Sequence, residues 1–162
     1  VPRHLVWIRP SIIVMVDDLK APQPARFQWL LHALQAFEID NDQLTVATER
    51  HGAKLKVYLF SNVELHLNQT DDWPVQPDAG MVNFNDPLPE KRWHLTASTE
   101  QTAACRIDAV ISIQDKSEPM PVVTIDRGRD ARLQVTDGDT KPVKVQVNLD
   151  PQVEALPVMN FR

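Results

Sequence analysis

Residues 3–33, RHLVWIRPSIIVMVDDLKAPQPARFQWLLHA, narrow the choice of fold more than any other stretch of the chain. At their centre lies the apolar run Ile12-Ile13-Val14-Met15-Val16. It is too short and too β-branched for a helix, and it predicts a strand covered on both faces. Pro10 interrupts the apolar pattern just upstream and has no N–H for a central ladder, so a kink or strand end is expected there. Asp17-Asp18 is expected to close the strand, with Ala21-Pro22-Gln23-Pro24 as the following turn. From Arg26 the alternation resumes. Phe27, Trp29 and Leu31 then share one face, and Gln28, Leu30 and His32 the other.

The rest of the chain repeats this texture. Residues 44–50 and 53–60 alternate around His51-Gly52, which predicts a hairpin with Leu55, Val57 and Leu59 pointing one way. Val63, Leu65 and Leu67 share a face, with Glu64, His66 and Asn68 opposite. Residues 71–90, DDWPVQPDAGMVNFNDPLPE, read as a long loop, and loops of that length in compact domains are usually functional or disordered. Strand patterns return at 92–98 (Trp93, Leu95 and Ala97 in register) and at 104–114 (Ile107, Ala109, Ile111 and Ile113 inward). Further strands are expected at 122–126, 131–136 and 142–149, the last two joined through Asp137-Gly138-Asp139-Thr140. No stretch of ten residues shows a 3.6-residue period. Thirteen prolines against four glycines suit an irregular antiparallel architecture better than a helical one. The expectation is therefore an all-β, antiparallel β-sandwich of about ten to twelve short strands with little helix, forming one domain over residues 1–162. Its core would hold Ile13, Trp29, Leu55, Val57, Leu95, Ile111, Val135 and Val145, with Trp7 and Trp93 also inside.

Charge bears on partners. The net charge is −5, and the basic residues are scattered and outnumbered by acids. That balance argues against nucleic acid, and against this chain being the main grip on an acidic sugar polymer. No run of 18 apolar residues exists, so no membrane-spanning helix is expected. Cys105 is the single cysteine, which rules out an intramolecular disulfide and reads as a buried structural thiol. Phosphate-binding glycine loops, nucleophile elbows and zinc-protease helices are absent from the sequence. The five histidines (His4, His32, His51, His66 and His94) are dispersed. His51 falls in a turn, and His66 and His94 alternate with apolar neighbours. His32 ends an apolar strand, where a buried, hydrogen-bonded imidazole is the expectation.

Several of these features together resemble a known family. Arg3-His4, an aromatic–aliphatic strand, Pro10, a hydrophobic strand ending in Asp17-Asp18-Leu19, and then Trp29-Leu30-Leu31-His32 resemble the C-terminal β-domain of the heparinase II/III-like polysaccharide lyases. The resemblance runs from Arg3 to about Ser61. It implies a C-terminal piece of a longer, secreted or periplasmic enzyme, in keeping with a strand pattern that begins at Val1. In that family, β-elimination on uronates needs a group to neutralise the carboxylate, a base for the C5 proton and an acid for the leaving oxygen. The resemblance places those groups mostly in an N-terminal α/α-toroid. No catalytic residue is therefore carried over to this chain, and Tyr58, within a regular strand, makes a poor base. Some members hold a structural zinc through histidines and an aspartate, and Asp17 and His32 are the positions that match two such ligands. Beyond that zinc no cofactor is expected. The implied partners are the toroid and, through the full-length enzyme, an acidic polysaccharide. Trp73 and His94 are the residues expected to touch substrate or the neighbouring domain. The competing reading is a stand-alone carbohydrate-binding or adhesive β-sandwich.

Overall fold

The computed structural model describes residues 2–72 and 91–117 and, beyond them, the strands 122–126, 132–136 and 143–146. The chain divides into two compact units, Val1–Lys116 and Ser117–Arg162. In the first lie β1 (Arg3–Ile8), β2 (Ile12–Ala33), β3 (Glu38–Asp40), β4 (Thr45–Arg50), β5 (Ala53–Ser61), β6 (His66–Thr70) and β7 (Trp93–Asp115). These make one antiparallel sheet in the order β1-β2-β7-β5-β4-β3, with β6 also pairing with β7. In the second unit, β8 (Val122–Asp126), β9 (Arg132–Thr136) and β10 (Val143–Gln146) form a three-stranded antiparallel sheet. No helix occurs among the described residues. The antiparallel all-β class is the one expected.

Two strands dominate the first unit. β2 and β7 pair with each other along their lengths, from Ile12↔Ser112 at one end to Ala33↔Trp93 at the other. β5 pairs with the Ile107–Asp115 half of β7, and β6 with its His94–Ser98 half. This corrects three sequence expectations. Strands read separately at 92–98 and 104–114 are one strand, and Asp17-Asp18 does not close its strand but stays in the ladder opposite Ile107 and Arg106, so that Ala21-Pro22-Gln23-Pro24 is no reversal. The register instead jumps from Lys20↔Ala104 to Ala25↔Thr102, leaving those four residues of β2 opposite Ala103 alone. Proline lacks the N–H a ladder requires, but its fixed φ suits extended chain. Pro22 and Pro24 can thus leave the ladder as an exposed bulge without turning the chain back, and such bulges bend the strand that carries them. A second shift falls between Arg26 and Gln28. There Phe27 has no ladder partner, and its N–H donates to Thr99 Oγ1 at 3.1 Å.

The β4–β5 connection is the expected two-residue turn. His51 (φ 50°) and Gly52 (φ 83°) both have positive φ, which the primed hairpin turns demand. Alternation then sets the core. Trp29, Phe37, Val46, Val57, Leu59, Leu65, Leu95, Ala97, Cys105, Ile107, Ala109 and Ile111 form one buried cluster drawn from both halves of β7. Ile13, Leu55 and Trp93 pack against it as partly buried side chains. Val135 and Val145 lie outside the residues whose side chains are described. Trp7 and Ile113 are corrections, at 54% and 45% exposed. Each sits on the core side of the sheet, Trp7 opposite Ile13 and Ile113 opposite Leu55. Trp7 belongs to the edge strand and Ile113 to the end of β7, where less of the sheet remains to cover them. Ile12, Val14, Val16 and Val110 are buried on the reverse face.

Candidate functional site

The two candidate metal ligands fall in separate places on β2. Asp17 is 2% exposed and carries a paired charge: Arg3 Nε donates to Oδ1 at 2.6 Å and Arg3 Nη2 to Oδ2 at 2.8 Å. This two-pronged geometry satisfies both carboxylate oxygens of an otherwise costly buried charge. The Asp17 carboxylate in turn raises the Arg3 guanidinium above its ordinary range, mainly through the hydrogen bond. Arg3 is placed for this by register, since β1 sets it directly across from Asp17. His32 lies at the far end of β2, beyond the proline bulge. It is exposed, not the buried imidazole expected from its apolar neighbours. Asp17 and His32 are therefore not brought together, and no group of three or more His, Cys, Asp or Glu side chains is arranged to hold a metal among the described residues.

The structure does bring His32 to His94, which the sequence could not show. The two are register partners on β2 and β7, and their rings meet edge to face with centroids 4.5 Å apart. Thr70 on β6 lies across from His94 on its other side. Two residues along, Leu30, Thr96 and Asn68 form the next row, and Gln28, Ser98 and His66 the one after. Because Trp29, Leu31, Leu95, Ala97 and Leu67 turn toward the core, these intervening residues all stand on the reverse face. Beyond them, Glu100 joins His66 Nε2 (3.7 Å) and Arg26 Nη2 (3.8 Å). Thr70 Oγ1 donates to Asp72 Oδ2 at 3.1 Å and accepts from the Asp72 N–H at 3.0 Å.

The result is a three-stranded patch of imidazoles, hydroxyls and amides, with exposed Leu30 as its apolar member. Such a surface can hydrogen-bond a hydroxyl-rich ligand. Trp73, three residues after Thr70, lies outside the described residues. Tyr58 stands on β5, partly buried, with its phenol pushed up by burial and Lys56 Nζ 4.9 Å from the ring centre. Arg26, Thr70 and Glu100 were not picked out from the sequence. Only the pairing of β2, β7 and β6 puts them beside the histidines.

No protein-family model matches the sequence, and no curated protein matches it. The fold does have relatives among solved structures. A heparinase III matches with a TM-score of 0.58 at 14% identity. The heparan sulfate lyase HepC from Pedobacter heparinus matches with a TM-score of 0.61 at 15% identity. Each comparison covers 90% of this chain, and the chain spans 23% of the length of those lyases. The chain thus has the fold of a heparinase-like domain, as its residues 3–61 suggested.

Proposed function

We propose that this chain is the C-terminal β-sandwich domain of a heparinase II/III-like polysaccharide lyase. The carrying observation is the fold it shares over 90% of its length with heparinase III and HepC. In this reading the parent enzyme cleaves a uronic-acid-containing polysaccharide by β-elimination, in the periplasm or outside the cell. The chemistry belongs to a catalytic toroid that this domain braces. The imidazole- and hydroxyl-bearing patch on β2, β7 and β6 suits the lining of a substrate cleft, with His94 on its central strand.

The test compares two proteins, the 162-residue chain and the full translated product of its gene, on heparin, heparan sulfate and alginate. Unsaturated uronate ends, followed by their ultraviolet absorbance, are expected from the longer protein alone. Activity from the isolated chain would overturn the assignment of catalysis to another domain. A gene that encodes only a signal peptide ahead of Val1 would favour the stand-alone carbohydrate-binding module instead.

A further inference from the structure

We infer that β1 carries a surface subsite for an anionic sugar chain, built on Trp7 and Arg9 and distinct from the histidine patch. Arg3, Leu5 and Trp7 alternate along one face of the strand, with Arg9 following in the adjoining turn. At about 3.3 Å per residue, Arg3 to Trp7 covers roughly 13 Å of extended strand, and the Arg9 guanidinium folds back over its Trp7 end. Leu5 and Trp7 are among the exposed large apolar residues of the described chain, at 59% and 54%. Exposed tryptophan is not by itself a site, but this one is held. Its Nε1–H donates to the Pro10 carbonyl at 3.3 Å, and the Arg9 guanidinium lies 5.0 Å from the ring centre. An indole fixed from two sides loses little freedom when a ligand stacks on it. The apolar C–H face of a pyranose is a natural partner for an aromatic ring. Arg9 places its guanidinium over one face of that ring, with a fork of N–H donors shaped to take a carboxylate or sulfate from a sugar stacked on the other.

Charge points the same way. The chain as a whole is acidic at −5, yet the charged residues that β1 and its turn bring to this strip are Arg3 and Arg9, with His4 alternating to the opposite face. Asp17 engages Nε and Nη2 of Arg3, but the Arg3 side chain remains 58% exposed. A basic, aromatic strip on an acidic domain holds an anionic polymer locally and weakly, as an auxiliary contact. The ligand class rests on the proposed lyase reading, but the site rests on the geometry of β1.

The experiment is calorimetric titration of the 162-residue chain with three probes: a heparin hexasaccharide, an unsulfated uronate-containing hexasaccharide and neutral cellohexaose. The two anionic probes are expected to bind, more weakly as salt is raised, and cellohexaose is not. Trp7→Ala should weaken binding about tenfold, the scale of one lost aromatic anchor. Arg9→Gln should weaken it severalfold and flatten the salt dependence. Both side chains are exposed, and unchanged thermal midpoints will show that the variants fold. Absence of binding by either anionic probe overturns the proposal, as does equal binding of cellohexaose or full affinity in Trp7→Ala. Loss in His94→Ala with none in Trp7→Ala would move the contact to the β2–β7–β6 patch and also overturn it. If the parent proves not to be a lyase while Trp7-dependent binding persists, the function reading fails and the subsite stands.

Discussion

Thr99 shows how much one side chain contributes at a fault in a ladder. It is buried, takes the Phe27 N–H that the register shift strands, and donates its own hydrogen to the Glu100 carbonyl at 2.7 Å. Thr99→Val keeps the shape and removes both bonds. It should lower stability by about 1–3 kcal/mol, the cost of leaving a partly buried donor unmet, and urea unfolding will measure it. Cys105 and Tyr58 govern a different response. Burial raises the Cys105 thiol above 9.0, with the Asp18 and Asp17 charges adding to it, and burial raises the Tyr58 phenol above 10.0. In both cases the folded state favours the protonated form. Their stabilisation is complete below the unfolded-state values and is lost as pH climbs through the folded ones. The urea midpoint should therefore fall as pH rises past the unfolded-state values of 9.0 and 10.0, and fall less in a Cys105→Ala, Tyr58→Phe double variant. An identical slope in the double variant would assign the loss to other groups.

At the scale of strands, local punctuation was legible where it also decided the outcome. His51-Gly52 reads as a turn and is one, because positive φ at two successive positions leaves the chain little else to do. No atom lies within 4 Å of a Cβ built on Gly52, so Gly52→Ala meets strain and no clash. It should cost about 1 kcal/mol, and Gly52→Asn clearly less; equal losses would place the effect in the side chain and not the backbone. Pro22 and Pro24 carry the same local signal as a turn, yet form a bulge, because the pairing of β2 with β7 continues on both sides of them. Alternation named the faces of Val57, Leu59, Leu65, Leu95 and Ala97 correctly. It misplaced Trp7 and Ile113, since a pattern tells which way a side chain points and not how far its neighbours extend over it. The His32–His94 contact had no local signal at all. It is made by register between strands far apart in sequence.

At the scale of the molecule, the family resemblance in residues 3–61 anticipated the shared fold, while the patch on β2, β7 and β6 emerged only with the topology. The strands β2 and β7 have one further consequence. Each belongs to both halves of the first unit, so neither half can melt and leave the other with its central strands intact. Amide hydrogen exchange should report this directly. The amides of Val14 and Val110 at one end, and of Leu31 and Leu95 at the other, should exchange through the same global opening, with protection that falls in parallel as denaturant is added. Separate isotherms for the two ends would show that the proline bulge divides the unit into two foldons. A single isotherm would mean that the hinge in the chain is no hinge in the energy landscape.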